Sequence, residues 1–108
     1  MPSRLVHRYV VFVHLPGEGT VRTVIARHPS FFVAVESCIA AYEGTGHLGY
    51  AIEDERRRRA FRLDRDLLLR LVYLRAHDQA AFFALLNRLD RSGGQADLES
   101  YLAEHAVL

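Results

Sequence analysis

Six arginines fall within ten residues of this chain: Arg56, Arg57, Arg58, Arg59, Arg62 and Arg65. A guanidinium offers a planar fork of donors that fits a carboxylate or a phosphate two bonds at a time. The run is therefore a candidate partner- or phosphate-binding segment, matched either to an acidic protein surface or to a nucleic-acid backbone. Glu53, Asp54 and Glu55 lie just upstream and neutralise part of it. On a strand its side chains alternate between faces, so at most half of them address one partner. The plain alternative is a solvated edge strand whose charge blocks edge-to-edge pairing.

The other chemical signals are weaker. Gly44-Thr45-Gly46-His47-Leu48-Gly49 has the letters of a dinucleotide-binding fingerprint. That chemistry needs the glycines to leave a strand and open a helix, so that the helix N-terminus meets the pyrophosphate. Here the order is reversed, and the segment reads as a helix cap followed by a turn. The six histidines, His7, His14, His28, His47, His77 and His105, form no close pair. His7 and His14 would face opposite ways on one strand. A metal site would need distant segments, and no metal ligand or cofactor is assigned. Cys38 sits in an apolar helical pattern with no neighbouring base, so it reads as a buried structural thiol. Ser30 reads as a helix cap and Ser37 as a helix residue. The carboxylates cluster with arginines rather than with each other, so no catalytic pair is assigned.

The elements that must position these residues follow from hydrophobic spacing. Residues 8–15 are β-branched and aromatic, with apolar side chains on both parities: Val10 and Phe12 on one, Tyr9, Val11, Val13 and Leu15 on the other. That pattern predicts a central strand. Pro16-Gly17-Glu18-Gly19 supplies a turn, and residues 20–28 resume a strand, giving a β-hairpin. Pro29 ends it and Ser30 caps the next element. Residues 31–43 form a helix whose apolar face includes Phe32, Val35, Ile39 and Tyr42, widened by Phe31, Ala34, Cys38 and Ala41. Gly44 is expected to end that helix in a left-handed cap. Residues 47–53 read as a third strand and 57–62 as a fourth, with a tight turn near Asp54-Glu55. Residues 54–63 also suit a helix, but one continuous with the next element would be far longer than globular domains use. Asp64 caps a helix over 65–76, Asp78 caps another over 79–90, and a last helix covers 95–105.

This order makes one α+β domain: a β-hairpin–helix–β-hairpin sheet over residues 8–63, followed by two or three C-terminal helices over 64–108. Composition narrows the function. The chain has 108 residues, a net charge of +1 and fourteen cations, all of them arginine. The absence of lysine excludes Schiff-base and phosphate-loop lysine chemistry. One cysteine excludes an internal disulfide and a four-cysteine zinc site. No signal peptide or membrane-spanning run is read, so a cytoplasmic protein is expected. The helices over 65–76 and 79–90 carry more large apolar side chains than a small sheet covers, which nominates Leu68, Leu71, Val72 and Phe83 as an interface. The first expectation is a small non-enzymatic protein-interaction module. It would be an adaptor, inhibitor or immunity-type protein of the kind bacteria and mobile elements encode, acting through that apolar surface with an arginine-rich rim. Its partner would be another protein or a second copy of the chain. The alternative is a nucleic-acid-binding protein that contacts phosphates through Arg56 to Arg65. A small enzyme with an assembled histidine site is the third.

Overall fold

A computed structural model describes residues 8–14, 22–45 and 49–106. In chain order the elements are β1 (Tyr9–His14), β2 (Arg22–His28), α1 (Phe31–Thr45), β3 (Gly49–Asp54), β4 (Arg59–Asp64), α2 (Arg65–His77), α3 (Gln79–Arg91) and α4 (Gln95–His105). The strands form one antiparallel sheet in the order β2-β1-β3-β4. Together they make the α+β domain expected from the spacing. β1 is central, as its two apolar faces require. The expected turn at Pro16–Gly19 and the glycine segment from Gly46 to Leu48 lie outside the described residues.

Alternation in the strands decides what is covered. Tyr9, Val11 and Val13 join Tyr50, Ile52, Phe61 and Leu63 on the face under the helices, where all are buried. The helices add Phe31, Val35, Ile39, Leu68, Leu71, Leu74, Phe82, Leu85, Leu86, Leu89, Leu98 and Leu102 to the same core. Val10 and Ala51 are also buried but stand outside that cluster, on the opposite parity. β2 is an edge strand and carries a bulge: Val11 faces Ala26 while Phe12 faces Val24, leaving Ile25 unpaired. A bulge twists an edge away from further pairing. The other edge, β4, is closed at Arg62, whose N–H donates to Gln95 Oε1 at 2.6 Å and whose carbonyl accepts from Gln95 Nε2 at 3.0 Å.

The expected helix caps form. Ser30 Oγ accepts the N–H of Val33 at 3.2 Å, Asp64 Oδ1 that of Leu67 at 3.0 Å, and Asp78 Oδ1 that of Ala81 at 3.1 Å. After α3, Gly93 has φ +91°, and a Cβ there would meet Asp97 Oδ2 at 3.0 Å. Only glycine fits that link.

Four expectations are corrected. The left-handed cap at Gly44 does not form: α1 runs through Gly44 to Thr45, and Gly44 has no positive φ. The fourth strand begins at Arg59 rather than at residue 57, because Asp54 pairs with Arg59 and residues 55–58 make the turn. Leu68 and Leu71 are fully buried inside the chain, so they serve the core and not an outer interface. Phe32 is 37% exposed, because Phe31 takes the inward position beside it.

Candidate functional site

The arginine run is divided by the backbone into parts with different surroundings. Arg59 opens β4 on the helix-covered face, opposite Asp54 at the end of β3. Asp54 has no solvent exposure. Its Oδ2 accepts from Arg59 Nη2 at 2.7 Å and from Arg8 Nη2 at 2.8 Å, while Oδ1 accepts from Arg8 Nε at 2.8 Å. Oδ1 also accepts the backbone N–H groups of Arg56 at 3.1 Å and Arg57 at 3.2 Å. Burial opposes ionisation of Asp54, but the bonds from Arg8, Arg59 and the Arg57 N–H outweigh it. Its pKa lies well below the ordinary carboxylate range.

The same guanidinium groups reach the end of α3. Arg8 Nη2 donates to the Asp90 carbonyl at 3.1 Å, and Arg59 Nη1 to the Gly93 carbonyl at 2.8 Å. The Asp90 carbonyl belongs to the last turn of α3, where cations are favoured, and Gly93 lies in the link to α4. Asp90 Oδ1 takes the Tyr9 hydroxyl at 2.6 Å and the Phe31 N–H at 3.4 Å. Burial, and then the bond to Asp90, push the Tyr9 hydroxyl pKa well above its usual value. The cluster thus joins β1, β3, β4, α1 and α3. Its charges are used up internally, and Arg59 is one of the structural members.

Arg56, Arg57 and Arg58 are exposed at the hairpin turn. None of the three pairs with an acid among the described residues; Glu55 beside them pairs with Arg27 at 3.5 Å. Arg58 has φ +55°, a left-handed conformation that favours glycine. Arg62 and Arg65 belong to the far end of the hairpin. Arg62 lies 3.8 Å from Glu99, and Arg65 Nε donates to the Tyr42 hydroxyl at 3.3 Å. The structure therefore does not bring the six arginines together.

Of the apolar candidates, Val72 is half-buried and Phe83 is 43% exposed on α3. Phe83 is not alone: its ring lies 5.4 Å from that of Phe32 on α1, over the buried Phe82. Val33 on α1, and Leu69 and Tyr73 on α2, are further exposed apolar side chains. Sequence spacing put Phe32 inside. The missed signal is that Phe31, Ala34, Val35, Cys38 and Ile39 already make a complete buried face at spacings of three and four, which leaves Phe32 at its margin.

Cys38 is buried and free, and burial pushes its thiol pKa up to about 12, far from nucleophilic at neutral pH. Among the described residues, no group of three or more His, Cys, Asp or Glu is placed to hold a metal ion. His77 stacks near Tyr73 and His105 on Tyr101, one helical turn away in each case. The Nε2 of His28 is buried without a hydrogen-bond partner. No helix among the described residues is long and apolar enough to cross a membrane. No family model, curated protein or solved structure matches the chain, so no relative bears on its function.

Proposed function

We propose that this protein is a small non-enzymatic protein-interaction module, of the adaptor, inhibitor or immunity type, that binds through its outer helical face around Phe32 and Phe83. The observation that carries the reading is that aromatic pair. Two phenylalanines sit side by side on neighbouring helices and both remain exposed. Exposed aromatic side chains with fixed neighbours are the usual anchors of protein interfaces. Leu69 and Tyr73 extend the apolar content of the helical layer. A buried thiol and carboxylates already committed to Arg8, Arg59 and Tyr9 leave this chain's strongest groups to structure rather than catalysis. The same proposal places it in the cytoplasm, where a free cysteine stays reduced.

The test is a comparative pull-down from the lysate of its own host, with wild type and a Phe32→Ser/Phe83→Ser double variant as baits. Light scattering on both proteins reads self-association. The expected result is a defined partner, or a dimer, that wild type holds and the variant loses while its circular dichroism stays unchanged. Identical profiles for the two baits, with both proteins monomeric, would sink the proposal.

A further inference from the structure

We infer that α3 carries a two-part docking stripe for an acidic, amphipathic protein segment, with Arg56, Arg57, Arg58 and Arg91 taking its carboxylates and Phe83 with Phe32 taking its apolar side chain. The inference rests on the interaction-module reading and adds the charge of the partner. Arg91 is the last residue of α3 and is exposed. The carbonyl of its neighbour Asp90 accepts from Arg8 Nη2 at 3.1 Å, and that same nitrogen lies 2.8 Å from Asp54 Oδ2. Asp54 Oδ1 holds the N–H groups of Arg56 and Arg57. The end of α3 and the hairpin turn therefore meet across one carboxylate and one guanidinium. Arg91 and the three exposed arginines of the turn thus belong to segments that Arg8 and Asp54 tie together, although they are far apart in sequence.

These four cations outnumber Glu53 and Glu55, the acids of the same segment that the Asp54 cluster does not use. Asp54 and Asp90 are committed to Arg8, Arg59 and Tyr9, and Glu55 pairs with Arg27. No acid among the described residues pairs with any of the four. The turn is also held in place, because Asp54 anchors two of its backbone N–H groups. A cationic site whose backbone is already fixed loses little freedom on binding.

The link to the aromatic pair is helical spacing. Phe83, Asn87 and Arg91 follow one another at intervals of four and are all exposed, so they form one stripe along α3. The two intervals span about 12 Å at the rise of an α-helix. Ala80 and Ala84 beside Phe83 are exposed and uncharged, which leaves room for a side chain from outside. The stripe thus passes from apolar to neutral to cationic. A partner that matches it carries an apolar anchor and carboxylates about three helical turns or fewer apart.

A nucleic-acid backbone fits less well. It would need cations continued along its path. Arg62 and Arg65 stand at the other end of β4, beside Glu99 and Tyr42. The cationic patch is confined, and what adjoins it on α3 is apolar.

Fluorescence anisotropy tests this with four labelled probes: an amphipathic helical peptide of Glu and Leu, its Lys and Leu counterpart, a peptide of Glu and Ser, and a single-stranded oligonucleotide. The Glu-Leu peptide is expected to bind best, more weakly at high salt. The Arg57→Glu/Arg58→Glu/Arg91→Glu variant is expected to weaken it by about tenfold or more, and Phe83→Ser to weaken it independently. The inference is overturned if the Glu-Leu peptide fails to bind, binds no better than the Lys-Leu peptide, or ignores the arginine variant. If both Leu-containing peptides bind alike and both are lost in Phe83→Ser, the charge inference falls while the apolar reading stands. Preference for the oligonucleotide, abolished by the arginine variant, also overturns it and assigns the patch to phosphates.

Discussion

Asp54 shows how one buried carboxylate sets the role of its neighbours. Its oxygens receive guanidinium groups from Arg8 and Arg59 and two backbone N–H groups, so the charged form is favoured inside the protein. The consequence for pH stability has a definite sign. A carboxyl whose folded pKa is depressed adds stability above its unfolded value, near 3.9 for Asp, and that stability is lost as pH falls through and below it. Cys38 and Tyr9 act in the opposite sense, since both have raised pKa values. Their contribution is present below their unfolded values and is lost as pH climbs above about 8.5 for the thiol and about 10 for the phenol. Melting temperature against pH should therefore form a plateau between about pH 5 and pH 8.5, falling on both sides. Asp54→Asn should lower the plateau and flatten its acid limb. An acid limb as steep in the variant as in wild type would contradict the assigned role. The cluster around Asp54 was not legible in the sequence, because Arg8 and Asp90 are far from Asp54 along the chain, whereas the burial of Cys38 was. The caps at Ser30, Asp64 and Asp78 were legible, because each acts on a backbone group three residues on.

At the scale of elements, most of the secondary structure followed from spacing, and the departures have local causes. β4 starts later than its alternation suggests because the side chain of Asp54 pulls the N–H groups of Arg56 and Arg57 into a turn. That turn needs a left-handed residue, and Arg58 occupies it. Arg58→Gly should relieve that strain and raise stability by about 0.5–1 kcal/mol, the left-handed cost less the extra chain entropy of glycine. Chemical denaturation at neutral pH measures it; a loss of stability would show that the Arg58 side chain contributes more than its backbone costs. α2 looked over-supplied with leucine for a single chain. The surplus is absorbed, since Leu67, Leu68, Leu71 and Leu74 pack inward and only Leu69 among its leucines is exposed. Periodicity overestimated this interface because an α2 flanked by β4, α1, α3 and α4 buries more than one stripe. The exposed aromatic pair falls instead at the seam of α1 and α3, a contact between segments far apart in sequence.

For the molecule as a whole, arginine is the only cation, and its copies serve two distinct purposes. Arg8 and Arg59 bind the sheet to the end of α3 through Asp54, the Asp90 carbonyl and the Gly93 carbonyl. Arg70 and Arg75 extend this to other elements, reaching the Ala106 carbonyl and Glu36 respectively. Arg56, Arg57 and Arg58 are exposed at the hairpin turn and Arg91 at the end of α3, in a protein whose formal charge is only +1. The sequence displays the run but not its division, since the division depends on which arginine follows the turn. Thermal melts of single Arg→Gln variants at positions 56, 57, 58, 59, 62 and 65 test this account most directly. Arg59→Gln should cost about 2–3 kcal/mol, a fall of about 10 °C or more, because it removes charged hydrogen bonds to a buried carboxylate. The other five should shift melting by no more than about 3 °C, as solvated side chains do. A harmless Arg59→Gln, or an equal fall at Arg56 or Arg57, would contradict the division of the run into a structural arginine and an outward-facing group.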